Sequence, residues 1–172
     1  MKRILAVYPG TFDPVHLGHL DIARRAALLF DELIIAVYDR PLKSLLFSPQ
    51  ERIEMVQLAV QDDSLHLSNV RVLGYNGLTV EFCRAVGATV MVRGLRVFSD
   101  FELEFRMALV NHRLAPEIET VPFITSEENS FISSASIREV AALGGDVSSM
   151  VPPHVVVALK RRFAQASRGE VT

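Results

Sequence analysis

The chain has one cysteine, Cys83, among 172 residues, so a disulfide framework is excluded. No apolar run reaches the roughly 18 residues that a membrane-spanning helix needs. The N-terminal apolar stretch, Ile4 to Tyr8, ends at Pro9 and is too short for a secretory core. These features read as a cytoplasmic chain with no membrane partner. There is no basic excess either: 18 Lys and Arg stand against 20 Asp and Glu, which argues against nucleic acid as a partner. Two nucleotide signatures are missing. Without G-x-x-x-x-G-K-[ST], P-loop phosphate transfer is disfavoured; without G-x-G-x-x-G after the first strand, so is a dinucleotide dehydrogenase. Repeats, linkers and low-complexity tracts are absent, so a single domain over residues 1–172 is expected.

Apolar material is plentiful. At 49% hydrophobic the chain is not a disordered tail. A chain of this mass buries about 70% of its unfolded surface, leaving roughly 8,400 Å² exposed. The apolar runs come in two periods. Ile4–Tyr8, Leu33–Tyr38, Val70–Leu73, Val90–Val92 and Thr120–Ile124 lack polar alternation, as strands covered on both faces do. Helices are expected between them. One runs from Leu17 to Phe30, with Leu20, Ala23, Ala27 and Phe30 on its apolar stripe. A second opens at Ser48-Pro49-Gln50-Glu51, a capping box with Pro at the first position, and turns Met55, Leu58 and Ala59 inward. A third, Val80 to Val86, stops at Gly87. A fourth starts at a second capping box, Ser99-Asp100-Phe101-Glu102, and runs to about Leu114. A fifth covers Ser133 to Leu143, and a last one spans His154 to Gln165 before a frayed tail from Ala166.

Strands alternating with helices predict an α/β fold: a Rossmann-like, doubly wound, five-stranded parallel sheet in the order 3-2-1-4-5. That order reverses between strands one and four. The ligand crevice should then lie between the loops Pro9–His19 and Arg93–Ser99, which hold the least ordinary stretches of the chain.

The first loop reads Gly10-Thr11-Phe12-Asp13-Pro14-Val15-His16-Leu17-Gly18-His19. Thr11 and Phe12 offer backbone N–H groups, Gly18 permits close approach to the helix start, and His19 sits where the helix dipole favours anions. A metal reading of His16 and His19 needs a third ligand, and Asp13, otherwise a turn former, is the only local candidate. Phosphate suits a helix start better. The second loop holds Arg93-Gly94-Leu95-Arg96. An arginine fork matches phosphate; ion pairs with Asp100, Glu102 or Glu104 are the other reading, and the expected switch point favours phosphate. Lys43, past strand two, reads alone as a solvated side chain. After strand five, Ser133 or Ser134 serves as a helix cap, a position that also turns hydroxyls, N–H groups and Arg138 toward a further phosphate. Cys83 falls inside an apolar helix and reads as core.

These stretches resemble the bacterial phosphopantetheine adenylyltransferase family of the nucleotidyltransferase superfamily. The superfamily motifs are His16-Leu17-Gly18-His19 and Ile132-Ser133-Ser134-Ala135-Ser136-Ile137-Arg138. Narrower matches are Tyr8-Pro9-Gly10-Thr11-Phe12-Asp13-Pro14, Pro41-x-Lys43-x-x-x-Phe47, and Arg93-Gly94-Leu95-Arg96 followed by Asp100-Phe101-Glu102-x-Glu104. The resemblance implies transfer of the adenylyl group of ATP to 4′-phosphopantetheine, giving dephospho-coenzyme A and pyrophosphate. It implies that His19 stabilises the transition state. Thr11, Phe12, His19, Gly94, Leu95, Arg96, Glu104 and the segment Asn129, Ser130, Phe131, Ile132, Ser133, Ser134 and Ala135 would meet ATP. Thr11, Lys43, Thr79 and Arg93 would meet phosphopantetheine, with Asn111 and Glu139 along its arm. It further implies Mg²⁺ carried on the ATP phosphates, a homohexamer, and feedback inhibition by coenzyme A. The chain departs from the family's frequent aromatic at Asn129, hydroxyl at Ala135 and Tyr at Leu103. The alternatives are another adenylyl- or cytidylyltransferase, such as one acting on nicotinate mononucleotide, or a non-catalytic nucleotide sensor.

Overall fold

The apolar runs become the five strands of one parallel sheet, in a computed structural model that describes residues 3–39, 44–62, 65 and 67–169. Side chains are described for all of these except 98, 99 and 166–169. In chain order the elements are β1 (Leu5–Gly10), α1 (Leu17–Leu29), β2 (Glu32–Tyr38), α2 (Pro49–Val60), β3 (Val70–Tyr75), α3 (Thr79–Val86), β4 (Val90–Leu95), α4 (Phe98–Leu114), β5 (Glu119–Ile124), α5 (Ser134–Ala142) and α6 (Pro153–Gly169). The strand order is β3-β2-β1-β4-β5, as expected.

Side-chain alternation along the strands divides the core into two layers. Ala6, Tyr8, Leu33, Ile35 and Val37 pack with α1, α2, α5 and α6 on one face. Val7, Ile34, Ala36 and Met91 pack with Val80 and Cys83 of α3 on the other. Cys83 is wholly buried there, in keeping with its apolar surroundings.

The local signals were mostly obeyed. Ser48 caps α2 through a reciprocal box with Glu51, and Pro49 occupies the first turn. Gly87 closes α3 at φ 76°, a left-handed conformation that costs glycine little. Ser133, rather than Ser134, caps α5, paired with Ser136. Four expectations need correction. The capping box at Ser99 does not form: α4 starts at Phe98, its cap Val97 makes no side-chain bond, and Asp100 reaches back to the Arg96 N–H instead. Leu58 faces outward, while Arg52 and Val56 join Met55 and Ala59 inside. The last helix starts at Pro153 and continues to Gly169, past the expected fraying point; residues 170–172 lie outside the described set. Arg93, Gly94 and Leu95 belong to β4 rather than to a loop, because they pair with Pro122, Phe123 and Ile124.

Register explains why a cleft opens where it does. β1 pairs with β2 as far as Gly10–Val37, and β4 with β5 as far as Leu95–Ile124. Yet β1 and β4 pair only at Ala6–Val90 and Val7–Met91. Beyond Val7 the two central strands part, and the split widens into a crevice at their carboxyl ends.

Candidate active site

A cavity of about 550 Å³ fills this split. Its walls come from the β1–α1 loop, the ends of β2, β3 and β4, the start of α4 and the start of α5.

The first wall is fixed from behind. The Phe12 ring is 2% exposed and meets the His19 ring edge-on at 4.8 Å between centroids. Phe12 adopts φ 50°, and a Cβ at Gly10 would lie 2.9 Å from its ring, so Gly10 is where the loop can fold over that ring. Asp13 is more than a turn former. Its buried carboxylate accepts the N–H groups of Leu46 and Phe47 at 2.9 and 3.0 Å, and Arg138 approaches it at 3.4 Å. Arg138 also donates to the Asp13 carbonyl. That engagement turns Asp13 away from the imidazoles, and no cluster of three metal-ligating side chains exists among the described residues.

The two histidines cap α1 jointly. His16 is the N-cap, its Nδ1 accepting the His19 N–H at 3.3 Å; the Nδ1 of His19 accepts the His16 N–H at 3.3 Å. The rings stack at 3.6 Å. Because both Nδ1 atoms accept, the proton of each neutral ring sits on Nε2. Burial, aided by neighbouring positive charge, holds both imidazoles well below their ordinary pKa of 6.5. His19 is thus an uncharged Nε2–H donor on the cleft wall. The space left by the missing side chain of Gly18 is taken by the His16 ring, 3.2 Å from where a Cβ would stand.

Arg93 and Arg96 face this wall across the split, and both are ion-paired. Arg93 donates to Glu104 from Nε at 2.7 Å and Nη2 at 2.6 Å, and from Nη1 to the Pro9 carbonyl at 3.0 Å. Burial opposes its charge, but the Glu104 bonds outweigh that and raise its pKa. Arg96 donates to Asp100 from Nε at 3.0 Å and Nη2 at 3.2 Å, and from Nη1 to the Ile132 carbonyl at 3.1 Å. Each guanidinium has five N–H groups, of which these bonds use three. Among the described residues two hydrogens per arginine therefore remain for a ligand, on forks held rigid by carboxylates. The ion-pair reading and an anion-binding role are compatible.

Of the residues singled out in the sequence, Thr11, Phe12, His19, Arg93, Gly94, Arg96, Glu104, Ser133, Ser134 and Ala135 line this one cavity. Leu95 and Ile132 stand behind it, Leu95 in the β4–β5 ladder and Ile132 buried in the core. Asn129 lies beside Gly18, Ser130 bonds its own turn, and Phe131 is 68% exposed, so none of the three lines the cavity wall. Thr79 stands one residue layer away, bonded to the Tyr75 hydroxyl at 3.0 Å. Asn111 meets the Met91 sulfur, and Glu139 is exposed; neither borders the cavity. Lys43 lies outside the described residues.

Sequence reading missed several wall residues. Tyr8, Tyr38 and Tyr75 line the cavity from the strand ends, and burial raises the phenol pKa of Tyr8 and Tyr75. Thr125 adds a buried hydroxyl with no partner among the described residues. The period-two alternation of strand residues was the available signal for the tyrosines; nothing in the letters singled out Thr125.

The comparisons with known proteins bear on what this cleft does. A cytidylyltransferase-like family model matches residues 7–140. The phosphopantetheine adenylyltransferase of Herpetosiphon aurantiacus is 51% identical over 159 residues, covering 92% of this chain and 94% of that one. The chain belongs to the phosphopantetheine adenylyltransferase family. A second family member, from Heliobacterium modesticaldum, is 49% identical and covers 96% of both chains. In fold, the family member described here is like the Plasmodium falciparum nicotinic acid mononucleotide adenylyltransferase complexed with NaAD: TM-score 0.72, 15% identity, 93% and 96% of the two chains covered.

Proposed function

We propose that the chain transfers the adenylyl group of ATP to 4′-phosphopantetheine, releasing dephospho-coenzyme A and pyrophosphate. The observation that carries this is the meeting of the His16–His19 helix start with Arg93 and Arg96 across the β1–β4 split. An anionic acceptor oxygen attacks the α-phosphorus of ATP in line, one P–O bond forms, and the bond to the pyrophosphate oxygen breaks. A phosphate oxygen needs no strong base, so the protein's part is positioning and charge stabilisation. The neutral Nε2–H of His19 donates to the transferring phosphoryl oxygens. Arg96 and the start of α5 at Ser133, Ser134 and Ala135 neutralise the triphosphate; Arg93, Lys43 and Thr11 hold the acceptor phosphate, with Thr79 nearby. Thr11, Phe12, Gly94, Leu95, Glu104 and the segment 129–132 complete the ATP side.

Mg²⁺ fits as an ion carried by the triphosphate. The cavity carboxylates Asp13, Asp100 and Glu104 are all engaged by arginines or N–H groups, so phosphate oxygens would be its ligands. It would supply charge neutralisation to the leaving pyrophosphate.

The proposal extends to a single cytoplasmic domain, inhibition by the end product coenzyme A, no nucleic-acid partner, and assembly as a homohexamer. No helix of the described residues is long and apolar enough to cross a membrane. The exposed Phe101, Phe105, Leu109 and Leu114 of α4 support self-association.

Product identification tests the reaction. Incubation with ATP, Mg²⁺ and phosphopantetheine should give dephospho-coenzyme A and pyrophosphate by mass spectrometry. Nicotinate mononucleotide in the acceptor's place should give no dinucleotide. A dinucleotide product, or no pyrophosphate exchange at all, would turn the assignment to the other acceptor or to a non-catalytic sensor.

A further inference from the structure

Arg52 reaches from α2 to the carboxyl ends of β1 and β2. It is 0% exposed and heads the largest wholly buried side chains. A guanidinium in such a place is costly unless its donors are met and its charge offset. Among the described residues its hydrogen-bond acceptors are backbone carbonyls. Nη1 donates to Thr11 and to Tyr38, each at 2.7 Å; Nη2 donates to Asp39 at 3.2 Å, and Nε to Phe47 at 3.2 Å. Burial lowers the Arg52 pKa, while the charges of Asp13 and Asp39 pull it back up.

What sets this residue apart is which segments it joins. Thr11 belongs to the β1–α1 loop, which lines the cleft. Tyr38 ends β2 and lines the cleft, and Asp39 follows it. Phe47 belongs to the turn whose N–H groups hold Asp13. One planar fork thus ties the β1–α1 loop to the end of β2 and to the turn before α2. A lysine keeps the charge but gathers its three donors on one atom, and cannot serve carbonyls spread around a plane.

We propose that Arg52 is a positioning residue that holds the β1–α1 loop, where groups for both substrates sit, at a fixed distance from the end of β2. This rests on the adenylyl-transfer reading above. In-line displacement is sensitive to such a separation: a misplacement of about 1 Å costs about 10²-fold in rate. Lost alignment slows the transfer step, whereas the groups that touch each substrate stay in the chain.

The test is Arg52→Lys and Arg52→Gln in the full chain, beside the parent. In Arg52→Lys, kcat at saturating substrates should fall about 10²-fold. The dissociation constants of a non-hydrolysable ATP analogue and of phosphopantetheine, each titrated alone by calorimetry, should stay within about threefold. Arg52→Gln should fall further in kcat, and lysine should not restore the rate. A kcat near the parent's in Arg52→Lys overturns the proposal. So does a loss confined to the KM of one substrate. If neither variant folds at the assay temperature, Arg52 is a core anchor and the proposal is likewise overturned. A parent that makes no dephospho-coenzyme A removes the underlying function instead, which the parent control alone reveals.

Discussion

The two helices that face each other across the cleft begin in opposite ways. At the start of α1 almost every group is spoken for: His16 and His19 cap each other, Asp13 is bound by two N–H groups and Arg138, and Phe12 and Val15 are buried. At the start of α4, Val97 offers no side-chain cap, and Phe101, Leu103, Phe105, Met107 and Leu109 all stand exposed. Ion pairs tie α4 to the cleft, Asp100 to Arg96 and Glu104 to Arg93. One wall of the cleft is finished by its own chain; the other is held by charge and shows an apolar back that suits protein contact.

Breaking the finished wall should have the largest effects. His19→Ala removes the Nε2–H donor and should lower kcat by about 10²-fold or more, as loss of one preorganised donor does. Steady-state kinetics check it, and near-parental turnover would remove His19 from the mechanism. Asp13→Ala frees two N–H groups and leaves Arg138 without its carboxylate. It should cost about 3 kcal/mol in urea unfolding; a loss within the scatter of surface substitutions would show that the loop is held otherwise.

The imidazole pair gives a pH signature of the same wall. Both histidines have folded pKa values below the ordinary 6.5, so on acidification the unfolded chain takes up protons first. Their contribution to stability is complete above about pH 6.5 and shrinks below it, by about 1.4 kcal/mol per pH unit for each ring. Urea unfolding from pH 7.5 to 5.5 should show that slope, and His16→Asn should reduce it by about half. An unchanged slope would mean the rings are not the titrating groups.

The unfinished wall should yield the smallest effect on the single chain. Phe105→Ser, on the exposed side of α4, should change stability by less than about 0.5 kcal/mol while lowering the assembled mass in sedimentation. An unchanged mass would move the assembly surface away from α4.

The same contrast governs how far the letters could be read. Period placed the five strands, because a strand covered on both faces must be apolar throughout, and strand–helix alternation with right-handed crossovers pointed to their order. Ser48, Gly87 and Ser133 marked helix ends because caps act locally. The meeting of His19 with Arg93 and Arg96 followed from topology, since both stretches end strands beside the reversal. Long-range partners were the part left unread. Asp13 before a proline is indistinguishable from a turn residue until Leu46 and Phe47 come near it. Arg52 sits in a helix where a cation ordinarily faces water, and its carbonyl partners are up to 41 residues away. At Ser99 the helix has already begun, at Phe98, and Asp100 bonds Arg96 four residues back.

Cys83 has a practical consequence. Its sulfur is enclosed between α3 and the sheet, and burial pushes the thiol up to about 11. An alkylating reagent can reach it only when that layer opens, so the labelling rate becomes a clock for opening on the side of the sheet away from α1. The acceptor proposed above itself ends in a sulfhydryl, and the folded chain offers it no partner for a mixed disulfide.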